Sequence, residues 1–154
     1  MAQGDVTMFQ EFLGSLGLNE FNLNTDLYKI GLITAAVTPA TADADPGWAA
    51  ARTTDHSATQ VTVGTGVYPD GGSDITNTWA EAAGVGKFDA ADQSPYVASN
   101  ANNATNARWG IIYNDTDADK KAIGFIDLGS AFDMTTGDLN ITWNAGGVFT
   151  FTLA

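Results

Sequence analysis

His56 is the only histidine of the chain and stands between Asp55 and Ser57. A general-base histidine needs a nucleophile and an orienting carboxylate within hydrogen-bond reach, and Ser57 and Asp55 are the neighbours that would complete such a set. The polar stretch around it favours a solvated loop histidine instead. Asp115, Asp117 and Asp119 form a D-x-D-x-D run, the opening of a calcium loop. An EF-hand then needs Gly at its sixth position and Glu at its twelfth, where this chain has Lys120 and Ile126, so that motif is excluded. A looser calcium site at a hairpin tip and three solvated turn aspartates balanced by Lys120 and Lys121 both remain open.

Asp127 lies between Ile126 and Leu128 in an apolar run. A partly buried carboxylate suits acid–base work, and a hydrogen-bonded structural aspartate leaves the same signature. Glycoside hydrolysis needs two facing carboxylates, but the only glutamates are Glu11, Glu20 and Glu81, and most aspartates fall in turns. Gly64-Thr65-Gly66 and Gly71-Gly72 have neither a lysine nor a helix after them, so they are not phosphate cradles. Three sequons, at Asn103, Asn114 and Asn140, read as coincidences of an Asn/Thr-rich chain. No catalytic residue, no cofactor and no metal beyond the weak calcium candidate is expected. The chain reads as a non-enzyme.

Composition narrows the partners. The 154 residues carry 18 acidic and 6 basic side chains, a net charge of -12. Spread over the surface of a domain this size, that is about one negative charge per ~600 Å², a field that repels phosphate backbones and anionic lipid. Neither nucleic acid nor membrane is an expected partner. The absence of cysteine removes disulfides, thiolate metal sites and thiol nucleophiles. No apolar run reaches the ~18 residues of a membrane span. Residues 1–5 lack the start of a signal peptide, so synthesis in a cytoplasm is expected. Charged residues are only 16% of the chain, so Thr, Asn, Ser and Gly must supply the polar surface, as in all-β proteins.

The elements that would position these groups are mostly strands. Phe9, Phe12, Leu13 and Leu16 fall at i, i+3, i+4 and i+7, the stripe of an amphipathic helix. Asp5 or Thr7 is the expected cap, with Thr7 and Gln10 as a capping box, and Gly17 the expected left-handed stop. So short a helix must dock, on its own domain or on a neighbouring subunit. Residues 27–34 and 60–68 read as strands, and 35–57 as an excursion on the surface. Residues 74–81 and 85–90 form an expected hairpin around Ala82-Ala83-Gly84, and 108–114 and 121–128 a second around residues 115–119. Residues 94–107 read as an Asn-rich loop. In a third expected hairpin, Leu139, Ile141 and Trp143 alternate with polar residues, as do Phe149, Phe151 and Leu153. The sum is an all-β, antiparallel β-sandwich of jelly-roll type with one short N-terminal helix. Residues 1–24 would be a helical arm and 25–154 the sandwich domain.

Several stretches together resemble a family of small acidic structural proteins in the virions of tailed bacteriophages. They are residues 25–34 (Thr-Asp-Leu-Tyr-Lys-Ile-Gly-Leu-Ile-Thr), Gly64-Thr65-Gly66-Val67-Tyr68 with Gly71-Gly72, Thr78-Trp79, Lys87-Phe88-Asp89, Arg108-Trp109-Gly110-Ile111-Ile112-Tyr113-Asn114-Asp115, residues 123–129, and 143–153. Val67 before Tyr68 and the excursion at 35–57 depart from the family pattern. The resemblance implies a capsid decoration (cement) protein. It would bind the major capsid protein on the capsid exterior and stand as a homo-oligomer or lattice. Met8, Phe9, Phe12, Leu13, Leu16 and Trp48 are the candidate contact residues. The alternative is a tail or fibre component that attaches to the host through residues 94–107, with calcium at 115–119. A secreted lectin-like module is a third possibility.

Overall fold

The computed structural model describes residues 5–63 and 66–152. The chain runs β1 (Val6–Met8), α1 (Gln10–Gly17), β2 (Tyr28–Ile33), β3 (Pro46–Gly47), β4 (Thr54–Asp55) and a 3-10 turn (His56–Thr59). It continues through β5 (Ser73–Ile75), β6 (Asn77–Ala82), β7 (Val85–Ala90), β8 (Gln93–Val97), β9 (Ala107–Asn114), β10 (Ala122–Phe132), β11 (Leu139–Ile141) and β12 (Phe149–Thr152). An antiparallel five-stranded sheet in the order β1-β10-β9-β2-β5 is the spine. The fold is the expected all-β sandwich with a short N-terminal helix.

Alternate residues of a strand point to opposite faces, and in β2 and β9 both faces are apolar. Tyr28, Ile30 and Leu32 pair with Asn114, Ile112 and Gly110 on one face, while Gly31 and Ile33 pair with Ile111 and Trp109 on the other. Such a sheet must be covered twice. The first face packs on two small sheets, β12-β7-β6 and β11-β8, whose Phe88, Tyr96, Val97, Leu139 and Ile141 complete the larger core. The second face carries Phe9, Ile33, Trp109, Ile111, Tyr113 and Phe125. Residues 35–60 lie over it and insert Trp48, whose ring stacks on Tyr113 with centroids 5.3 Å apart and planes 3° from parallel, while Val61 crosses to the larger core on the first face. The excursion at 35–57 is therefore not a surface appendage. Gly31 is what admits it: a Cβ there would fall inside the Trp48 ring.

Residues 60–68 do not form the expected strand. Instead Gln60 bridges Ile33, and the Val61 N–H donates to the Leu32 carbonyl at 3.0 Å. Tyr68, further on, accepts the Leu32 N–H through its hydroxyl at 2.7 Å. Gly64 and Thr65 lie outside the described residues. This segment completes the edge of β2 where β5 runs out. The stretch 74–81 splits at Thr76 between two sheets, so β5 joins the spine and β6 the opposing layer. The β6–β7 hairpin turns on Ala83 and Gly84 (φ 53° and 80°), the left-handed pair that matches strand twist. The β9–β10 hairpin also forms as expected.

The expected C-terminal hairpin does not form. β11 pairs with β8 and β12 with β7, in different sheets. Trp143 sits at the crossing, donating its backbone N–H to Asp92 Oδ1 (2.8 Å) and its indole N–H to the Ala91 carbonyl (3.1 Å). The period-2 burial survives the change of partner: Leu139 and Ile141 are buried, Asn140 and Thr142 exposed. Leu153 lies outside the described residues.

Over residues 5–24 the chain is part of the sandwich rather than a separate arm. Val6 pairs with Ile126 in the spine. The expected cap is displaced, because Thr7 lies in β1 and Phe9 is the N-cap, with no side-chain cap. The Gln10 N–H donates instead to the Thr41 carbonyl at 2.8 Å. At the far end Asn19, not Gly17, takes the left-handed conformation (φ 61°). Glu20 N–H to Ser15 O (3.0 Å) and Asn19 N–H to Leu16 O (3.1 Å) complete a Schellman motif. Phe12 is buried with its ring edge-on to Phe21 and Phe149, while Leu13 is 61% exposed. Phe12→Ala is expected to lower unfolding free energy by about 3–5 kcal/mol in urea denaturation, and Leu13→Ala by less than about 0.5 kcal/mol. Equal effects would mean that the helix does not dock as described.

Candidate functional site

The 3-10 turn places His56 inward, 1% exposed, with its ring stacked on Phe9 at 5.6 Å. It is not the solvated loop histidine expected from its polar neighbours. Neither ring nitrogen has a hydrogen-bond partner among the described residues, and Asp43 Oδ2 stands 3.7 Å from Nε2. Burial pushes the imidazole below its ordinary range, against the opposing pull of Asp43 and Asp55. Ser57 does not face it. Its hydroxyl donates to Asp55 Oδ1 at 2.6 Å and its N–H to the same oxygen at 2.9 Å. Asp55 is thereby the cap of the turn, and no nucleophile–base–carboxylate chain exists across 55–57.

The three hairpin aspartates diverge. Asp115 lies between Lys120 and Lys29, the latter at 3.0 Å. Burial raises the Asp115 carboxyl, but the two ammonium groups outweigh it and hold the group below its usual range. Asp117 lies 3.7 Å from Lys121 and takes the Asp119 N–H on its other oxygen at 3.0 Å. Asp119 faces Arg52 at 3.8 Å. Among the described residues no group of three or more carboxylate, histidine or cysteine side chains is placed to hold a metal. The three carboxylates of the weak calcium candidate are each engaged in a local ion pair.

Asp127 is half-buried, paired to Arg108, and accepts the Gly129 N–H at 2.6 Å. The guanidinium is the main cause that holds its carboxyl low, the opposite of what a general acid needs. It lines a groove of about 320 Å³ between the two layers, walled by Ile126, Leu128, Phe132, Leu139, Ile141 and Trp143. Asp127 is the one titratable group in that lining.

The candidate contact residues separate into two sets. Phe9, Phe12 and Trp48 are buried inside the domain, and Met8 and Leu16 are half-buried against its core. Leu13 alone projects. The structure adds Leu18, 74% exposed just past the helix end. Gln10, Leu13, Gly14 and Gly17 share the outer helical face at i, i+3, i+4 and i+7, and a Cβ at either glycine would meet nothing within 4 Å. The sequence signal for this face was the pair of glycines opposite Phe12 and Leu16. Glu11, beside this face, accepts the Asp45 N–H at 2.8 Å.

Since each aspartate of the 115–119 run answers to a cation of the chain, millimolar calcium or EDTA is expected to leave the melting temperature unchanged. A calcium-dependent rise would restore the metal reading. Among the described residues no helix is long and apolar enough to cross a membrane. Compared with known proteins, the chain matches no family model, no curated protein and no solved structure.

Proposed function

We propose that this chain is a non-enzymatic structural protein of a tailed-phage virion. It binds the outside of the capsid and cements neighbouring subunits of the major capsid protein. The observation that carries the reading is the outer face of α1. Leu13 stands exposed on α1 and Leu18 just past its end, apolar groups on an otherwise strongly acidic protein. The groups capable of chemistry, His56, Asp127 and the 115–119 run, are meanwhile committed to internal structure. A net charge of -12 keeps copies apart in solution. Apolar contact at about 25 cal/mol per Å² then supplies adhesion without needing a site. The sequence resemblance to small acidic virion proteins points the same way, and the repulsive field argues against nucleic acid or membrane as partner.

The host-attachment alternative draws less support, because residues 94–107 are not the free loop it needs: 94–97 belong to β8, and the rest, though largely exposed, is pinned at Asn103. Asn103 accepts the Val67 N–H at 2.9 Å and donates to the carbonyls of Ala98 and Met134.

Cryo-electron microscopy of particles from the phage that encodes the chain is expected to place it on the outer shell, in copy number matching the capsid subunits. A handful of copies at the tail would favour host attachment. A Leu13→Asp/Leu18→Asp variant, checked for folding by circular dichroism, is expected to lose binding to shells stripped of the protein. Undiminished decoration by that variant would remove the helix face from the contact.

A further inference from the structure

We propose that residues 35–60 are an acid-sensitive cover over the aromatic face of the spine sheet, with His56 as the trigger. This inference rests on the fold and is independent of the proposed function. The cover is one continuous segment, fastened at separate points. The Trp48 N–H donates to the Lys120 carbonyl (2.9 Å), and the Trp48 ring stacks on Tyr113. Gln10 N–H reaches the Thr41 carbonyl, Asp45 N–H reaches Glu11, and, just past the end of the cover, Val61 N–H reaches the Leu32 carbonyl. Beneath lie Phe9, Ile33, Trp109, Ile111 and Phe125.

His56 is the cover's most deeply placed titratable group, with no accessible side-chain surface. A neutral imidazole fits this place as a flat ring on Phe9. A charged one fits worse, because it adds a positive charge and a second N–H donor where neither nitrogen has a hydrogen-bond partner among the described residues. The nearest counter-charge, Asp43 Oδ2, stands beyond hydrogen-bond length at 3.7 Å and already accepts the Ala40 N–H. Asp55, the other carboxylate that acts on the ring, is occupied by Ser57. The packed elements bring little else. On β2 the one charge, Lys29, is held by Asp115 and Asp74, β3 carries none, and Glu11 of α1 is engaged by Asp45.

The direction follows by linkage. The closed form disfavours the proton and the open form takes it up at the ordinary histidine value, so closure is strongest above about pH 6.5 and weakens as the pH falls below it. The limit is about tenfold in the opening equilibrium per pH unit. The other face of the sheet is held by the larger core, and His56 is the only histidine. Acid therefore loosens the cover without a corresponding trigger in the opposing layer.

Hydrogen exchange of the full chain at about pH 7.5 and about pH 5.5, corrected for intrinsic rates, tests this above the carboxylate range. Peptides from 36–60 are expected to lose protection, by up to about tenfold per pH unit below pH 6.5, while β7, β8 and β9 keep theirs. His56→Phe retains the ring stack and is expected to abolish the difference. Unchanged protection at 36–60, loss in step with the opposing layer, or a pH effect that survives in the variant would each overturn the proposal. If the variant does not fold, the wild-type protein decides: the Cε1–H resonance of its single imidazole must titrate below the ordinary histidine value. A midpoint at or above about pH 6.5 overturns the inference.

Discussion

The central sheet has no face that can be left wet. β2 exposes neither side of its Tyr-Lys-Ile-Gly-Leu-Ile run except at Lys29, and β9 is buried from Trp109 to Asn114. At ~1.5–3 kcal/mol for each large apolar side chain removed from water, an uncovered face would cost more than a domain of this size has to spare. The chain meets the demand in two ways. One layer is conventional, strands against strands. The other is a loop segment made adequate by a single tryptophan laid on a glycine, with a buried histidine and the phenylalanine ahead of α1 filling beside it. α1 joins the two, since Phe9 reaches one core and Phe12 the other within a single helical turn.

Polar groups follow from the same demand. A doubly covered sheet has to satisfy its edge backbone without water, and tyrosines do much of this here. The Tyr68 hydroxyl accepts the Leu32 N–H, Tyr96 donates to the Ile30 carbonyl and Tyr113 to the Gly71 carbonyl at 2.6 Å. Burial raises the hydroxyls of all three well above the ordinary tyrosine range, so these ties do not titrate near neutral pH. Side chains that looked chemically eligible are likewise caps, clamps and counter-ions. The surface keeps an excess of carboxylates that organise turns.

Much of this was legible in the sequence, and the misreadings share a cause. Runs of β-forming residues bounded by turn residues locate strands at 27–34, 85–90 and 108–114 and the hairpins at Ala83-Gly84 and 115–119, because these are local signals. Alternation at 139–143 and 149–152 correctly gave burial but could not give partners, which are chosen by the three-dimensional neighbour rather than by the nearest strand in sequence. Residues 35–57 read as surface because Ala, Thr and Asp dominate there, and one indole outweighs them. His56 misled in the same way, since its neighbours are polar while its ring is not among them. The amphipathic stripe of α1 was read as a single face. In the structure its apolar residues divide between two cores and solvent, leaving Leu13 outside.

The pairing of β1 with β10 also orders events in time. Val6 cannot find Ile126 until that residue has been made, so at ~5–20 residues per second the leading strand waits roughly 6–24 s without its partner. During that interval Phe9 and Phe12 lack Phe125 and Phe149, rings against which they pack. The sheet then closes by capturing the earlier-made β1 with the later-made β9–β10 hairpin. Pauses between the codons for residues 20 and 120 would lengthen the interval directly.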